Sequence, residues 1–175
     1  MSLILTLIVL AALAAVLGLA ANRPDTFQIQ READIQAPPE KVHALLADFH
    51  RWEAWSPWEK LDPAMKKTHS GAASGRGAIY AWEGNGKAGA GRMEITRDTP
   101  PSGLTIQLDF FKPFKANNQA DFTLEPRGGG THVTWRMHGP SPFMSKVMGL
   151  FIDLDKMVGR DFEAGLANLK ALAEH

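Results

Sequence analysis

The last stretch of the chain, Ser141 to His175, restricts the fold more than any other. Phe151, Leu154, Val158, Phe162, Leu166, Leu169 and Leu172 recur at steps of three or four, the spacing of one stripe along an α-helix. Asp153, Lys156, Arg160, Glu163 and Lys170 fall mostly off that stripe. Ser141 suits a helix cap, and Pro142 suits the first helical position, where a missing N–H costs nothing. A continuous helix from there to the end would be roughly 45 to 50 Å long at about 1.5 Å per residue. Gly149 and Gly159 are where it would break, since each costs about 1 kcal/mol relative to alanine. A helix this long with a single apolar stripe needs a broad surface to lie on.

The preceding residues supply that surface. Thr26 to Ala37 places Phe27, Ile29, Ala33 and Ile35 on odd positions with polar residues between, as a half-buried strand does. Pro38-Pro39 ends it, and Pro39 opens a short helix to about Phe49. From Lys66 the strand pattern repeats, with Tyr80 and Trp82, then Met93 and Ile95, on one face. Leu104, Ile106, Leu108 and Phe110 follow, then Ala120, Phe122 and Leu124, then Val133, Trp135 and Met137. Turn chemistry separates the strands: Gly84-Asn85-Gly86-Lys87, Pro100-Pro101-Ser102-Gly103 and Arg127-Gly128-Gly129-Gly130. Such a meander has one apolar and one wet face, and the apolar face must be covered. The expected class is α+β, a curved antiparallel sheet wrapped around the terminal helix.

Leu3 to Ala21 is uncharged, with Thr6 its only polar side chain. As a helix it spans about 28 Å, close to the ~30 Å hydrocarbon core of a bilayer. A cleavable signal peptide is the rival, with Gly18-Leu19-Ala20 as a small-x-small site. Against it stand the length of the apolar run and the lack of a basic residue ahead of it. The expectation is a single-pass transmembrane anchor over residues 1–22 and one domain over 23–175. Arg23, Arg31 and Lys41 follow the anchor, which leans the domain towards the cytoplasm, with a periplasmic or secreted domain as the alternative.

Lysine plus arginine number 19, as do aspartate plus glutamate, so the formal charge is zero. That balance argues against a general nucleic-acid binder, whose affinity comes largely from neutralising phosphates. The chain has no cysteine, which excludes disulfides, thiolate metal sites and cysteine nucleophiles.

Four segments then carry a family resemblance by their order. They are Ala37-Pro38-Pro39-Glu40-Lys41-Val42 leading to Phe49, Trp52, Trp55-Ser56-Pro57-Trp58; Gly75, Gly77, Tyr80, Trp82, Gly84-Asn85; Gly130-Thr131, Val133, Trp135; and Asp161-Phe162-Glu163, Gly165-Leu166, Leu169-Lys170. From Thr26 to the end the chain resembles the START-like, or SRPBCC, superfamily of polyketide cyclase/dehydrase and lipid-transfer relatives. The resemblance implies a helix-grip fold with a hydrophobic cavity between sheet and C-terminal helix. It implies no reaction, because catalytic members use residues peculiar to their subgroup.

Trp55, Trp58, Tyr80, Trp82, Met93, Leu108, Phe110, Phe122, Trp135, Met137, Phe162 and Gly165 are the residues expected to line such a cavity. Methionine and aromatic side chains around an incompletely filled space make an adaptable apolar pocket; the competing reading is a plain core. Tyr80 and Trp82 carry polar tips that would orient a ligand head group if left without partners. Gly165 would let the sheet or a ligand approach the helix closely. For Trp52, Trp55 and Trp58, a plug at one end of the sheet is preferred over a lipid-contacting rim.

The histidines show no metal-ligand spacing, and most read as surface residues. No metal, cofactor or catalytic residue is expected. Strand parity puts Glu94, Asp109, Asp121, Arg136 and His138 on the wet face. The ligand expected is a hydrophobic small molecule or lipid, held near a membrane by the N-terminal helix. A cyclase/dehydrase-like enzyme and an interaction module with a filled core are the alternatives.

Overall fold

The computed structural model describes residues 3–175. Helix α1 runs over Leu3–Ala21 and strand β1 over Thr26–Ile35, followed by helix α2 (Pro39–Leu46). Two short 3₁₀ turns, Phe49–Ala54 and Pro57–Lys60, lead to the meander. Its strands are β2 (Lys66–Gly71), β3 (Ala78–Glu83), β4 (Ala90–Thr99), β5 (Gly103–Lys112), β6 (Ala116–Arg127) and β7 (Gly130–Pro140). Helices α3 (Phe143–Met148) and α4 (Leu154–Glu174) complete the chain. All seven strands form one antiparallel sheet in the order β1-β7-β6-β5-β4-β3-β2. The first strand therefore pairs with the last, and α4 packs chiefly on β1. This is the α+β grip expected from the alternation and the terminal stripe.

The core lies between the sheet's inner face and α2, the 3₁₀ turns and α4. Ile29, Ile35, Ile95, Ile106, Phe122, Leu124, Val133 and Trp135 from the strands meet Val42, Leu46, Phe162, Leu166 and Leu169 from the helices. The 3₁₀ turns cover the inner face as well: they drive Trp52 and Trp55 inward to 4% and 1% exposure. Trp52 Nε1 donates to the Leu46 carbonyl at 3.0 Å, and Asn168 Nδ2 donates to the Trp55 carbonyl at 3.0 Å. The turn is thereby tied to a helix on either side.

The terminal stretch departs from one continuous helix. Pro142, not Ser141, stands at the cap of α3, and α3 stops at Met148. A second helix then starts at Asp153, whose Oδ1 accepts from Lys156 N at 2.9 Å. The break falls at Gly149 and leaves Phe151 75% exposed, outside the core stripe that its spacing suggests. The two helices have different neighbours, α3 packing on the foot of α1 and α4 on the sheet, and one straight rod does not reach both.

Gly159 is not a break. Arg31 stands on the inner face of β1 between Ile29 and Ala33, and its guanidinium fills the space beside Gly159. It pairs with Asp155 at 3.0 Å and Glu163 at 2.8 Å, one turn to either side. A Cβ at 159 would overlap that guanidinium, so the glycine makes room for a charged clamp between helix and sheet.

Three other expectations change. Asn85-Gly86 does not use the left-handed backbone; Asn85 Oδ1 instead accepts from Lys87 N at 2.9 Å, and Gly89 takes the positive φ of 64°. His43 is buried, its Nε2 2.6 Å from Asp98 Oδ1, joining α2 to β4. Asp121 lies on the outer face as parity requires, yet it is buried beneath its own partners. Thr105 Oγ1 donates to it at 2.8 Å, with Arg136 at 3.0 Å and His138 at 3.1 Å.

Burial pushes the Asp121 carboxyl up, but hydrogen bonds from Thr105, Arg136, His138 and Gln119 outweigh it and hold the group below the usual carboxylate range. A depressed folded value means the contribution is complete above the unfolded pKa of about 4 and lost as pH falls through the folded value. The unfolding midpoint should therefore drop on acidification below about pH 4, and Asp121→Asn should flatten that dependence; a pH series of urea melts on the full chain in detergent checks this. Gly159→Leu should lower stability by about 1 to 3 kcal/mol in the same assay. In an unhindered helix, leaving glycine would add roughly 1 kcal/mol.

Candidate functional site

The sheet and α4 meet through stacked rings. Trp135 projects inward from β7, Phe162 lies flat on it with centroids 4.0 Å apart and planes 7° apart, and Phe122 stacks on its other side at 4.9 Å. Trp55 closes on Trp135 edge-on at 5.6 Å. Gly165 permits this: a Cβ there would sit 2.9 Å from the Trp135 ring. It is the sheet that makes the close approach. In the middle of the grip these four aromatic side chains are filled core.

Towards the Thr26 end of the sheet the inner face is less covered. Trp58, Trp82, Leu108 and Phe110 are half-buried there, with Met93 and Met137 beneath them. The lesser cover follows from α4 packing chiefly on β1, several strands away from β3 to β5. The twelve expected lining residues thus divide. Trp55, Phe122, Trp135, Phe162 and Gly165 belong to the stack, Tyr80 to the buried wall, and the other six to the half-covered apolar end. Two surface recesses lie outside the grip. One of about 140 Å³ is lined by His50, His69 and Ile79, and one of about 280 Å³ by Thr26, Gln28, Arg136 and His138.

The polar tips sort differently from expectation. Tyr80 OH donates to Glu59 Oε1 at 2.8 Å, and Trp82 Nε1 donates to the Ala88 carbonyl at 3.0 Å, so both are engaged within the protein. Glu59, whose side chain is only 6% exposed, also pairs with Lys67 at 2.6 Å. Burial first, and the Glu59 carboxylate second, push the Tyr80 phenol far above its ordinary value, so it stays neutral. Lys67 is raised mainly by its bond to Glu59 and stays charged.

The buried polar side-chain atoms without a partner, among the described residues, are Trp55 Nε1, Trp135 Nε1 and Asn118 Oδ1. Asn118 pairs across the sheet with Leu108 and shares its inner face. All three atoms therefore lie on the inner side, two donors and one acceptor. Sequence reasoning placed Trp55 and Trp135 as apolar lining and passed over Asn118, which breaks the alternation ahead of Ala120. That break is the signal that would have found it. No group of three or more His, Asp or Glu able to hold a metal ion occurs among the described residues.

The family described as polyketide cyclase/dehydrase and lipid transport matches residues 26–174, nearly the whole chain beyond α1. The chain belongs to that family. No curated protein matches it in sequence. Among solved structures, a protein from Chromobacterium violaceum is 16% identical with a TM-score of 0.59, covering 87% of this chain and 99% of its own. One from Mycobacterium smegmatis is 20% identical, TM-score 0.57, covering 83% and 89%. One from Mesorhizobium loti is 22% identical, TM-score 0.57, covering 83% and 96%. At these identities the likeness carries the fold alone.

The stack sets an energetic test. Trp135→Ala should cost about 3 to 5 kcal/mol through lost contacts and a cavity. Trp135→Phe keeps most of the ring and removes a donor whose unsatisfied burial costs about 1 to 3 kcal/mol. It should therefore stay within about 1 kcal/mol of the parent, gain and loss being of similar size. Chemical denaturation followed by tryptophan emission compares the two.

Proposed function

We propose that this chain is a membrane-tethered, non-catalytic binder of a hydrophobic small molecule or lipid, taken into the grip between the sheet's inner face and α4. The observation that carries this reading is the set of unpartnered polar atoms on the inner side, Trp55 Nε1, Trp135 Nε1 and Asn118 Oδ1. A buried polar atom without a partner is costly; a ligand oxygen reaching an indole N–H, or a ligand hydroxyl donating to Asn118 Oδ1, offsets part of that cost. The half-covered end at Trp82, Leu108 and Phe110 offers the apolar surface for the rest of such a molecule. The family assignment supports the same direction.

The enzymatic reading has Glu59 as its best acid or base on the inner face. Both Glu59 carboxylate oxygens are already engaged within the protein, Oε1 by Tyr80 OH and Oε2 by Lys67, which favours a structural role for the group. The tether is α1, of 19 residues with mean hydropathy 2.9 and almost wholly exposed. In this reading residues 1–22 anchor the domain formed by residues 23–175, on the cytoplasmic side.

Native mass spectrometry of the full chain, extracted gently into lipid nanodiscs, should find one apolar molecule retained per chain. Adding that molecule at a hundred times its Kd should raise the unfolding free energy by about 2.7 kcal/mol. Trp135→Phe, still folded, should bind it roughly two- to tenfold more weakly, the worth of one hydrogen bond. If nothing is retained and no lipid in a panel stabilises the protein, the reading fails.

A further inference from the structure

Strand register brings several distant segments to one end of the sheet. Thr26 faces Pro140, Phe110 faces Ala116, and Ala90 faces Lys112. The tip of the β5–β6 hairpin, the start of α3 and the foot of α1 therefore share an edge. Large apolar side chains stand exposed at that edge: Phe114 is 71% exposed, Met144 67% and Phe151 75%. Outside α1, every large exposed apolar side chain among the described residues except Leu61 lies on residues 111–114 or 143–157. Such clustering on one side of a domain marks an interaction surface.

The foot of α1 says what covers it. Ala20, near the end of α1, is fully buried, and α1 packs on α3. Lys146 of α3, itself buried, pairs with Asp25, and Arg23 lies against Gly149. Only Asn22 to Asp25 separate α1 from the sheet, a span of at most about 14 Å. The start of β1 is thus held within that distance of the point where α1 ends, and α3 packs directly on α1. Lys115, exposed beside Phe114, and Lys112, exposed and paired with Glu83 at 2.9 Å, give the tip the mix of lysine and large apolar side chains found in segments that lie at a lipid head-group boundary.

We infer that this edge, the 111–115 hairpin tip together with residues 143–157, docks into the head-group layer of the same bilayer that α1 crosses. The inference rests on the reading of α1 as a membrane span. Docking there turns the half-covered end at Trp82, Leu108 and Phe110 towards the membrane, so that a ligand passes from the bilayer into the grip without crossing bulk water.

The absence of cysteine makes the test direct. Single variants Leu10→Cys, Phe114→Cys, Phe151→Cys and Glu125→Cys of the full chain are labelled with an environment-sensitive fluorophore. They are then placed in vesicles of phosphatidylcholine and phosphatidylglycerol carrying nitroxide quenchers at shallow or deep acyl positions. Labels at 114 and 151 should lose most of their emission to the shallow quencher and little to the deep one. The label at 10 should be quenched by the deep one, and that at 125, towards the opposite end of the sheet, by neither. Quenching at 10 with none at 114 and 151 overturns the docked edge while leaving the anchor intact. No quenching at 10 removes the anchor reading, and the docking with it. Labels at 114 and 151 that quench one another between copies, but are untouched by lipid quenchers, assign the edge to a second copy of the chain and also overturn the proposal.

Discussion

Helix α4 stays on the sheet because Phe162 lies flat against Trp135, and the rest of the inner face is arranged around that contact. The stack demands a glycine at 165, since any side chain there would meet the Trp135 ring. It also needs Trp55 edge-on from the 3₁₀ turn and Phe122 behind it. Dispersion between well-matched rings is individually small and collectively large, so one close-packed column fixes the position of a helix that makes most of its other contacts with a single edge strand. The Arg31 clamp acts within a turn of that contact: Arg31 faces Trp135 across β1 and β7, and it holds Asp155 and Glu163 on either side of Gly159.

That arrangement has a consequence for chemistry. Filling the middle of the grip with rings leaves the apolar surface near Thr26 only half covered and strands three polar atoms without partners. Natural cores rarely leave buried donors unmatched, so the inner side is where an incoming molecule has most to offer. The polar groups that look most like ligand handles, Tyr80 and Trp82, already serve the fold through Glu59 and the Ala88 carbonyl. The unmatched ones belong to side chains that read as plain packing.

Strand alternation was legible because a half-buried sheet imposes a period of two on side-chain polarity; β2 lacks it, and Arg31 and Asn118 interrupt it on β1 and β6, but the other strands from Phe27 to Met137 obey it. The terminal stripe was legible for the same reason at a period near 3.6. Arg31 shows where the reasoning stops. It occupies an inward position in β1, and nothing local reveals that Asp155 and Glu163, more than a hundred residues away, will meet it. The pairing of His43 with Asp98 and the burial of Asp121 are of the same kind. Phe151 errs in the other direction: it fits the helical spacing, but the chain breaks ahead of it to let α3 reach the foot of α1.

By itself the sequence determined the class of fold, the inward set of side chains on each strand and the apolar character of the first helix, since these follow from local periodicity and composition. Only the tertiary structure decided which aromatic rings stack and which stay half-covered, which polar atoms go without partners, and which end of the sheet gathers the exposed apolar edge. Those outcomes depend on strand order and register. They bring β1 against β7 and place segments far apart in the chain side by side, and no short-range pattern carries that information.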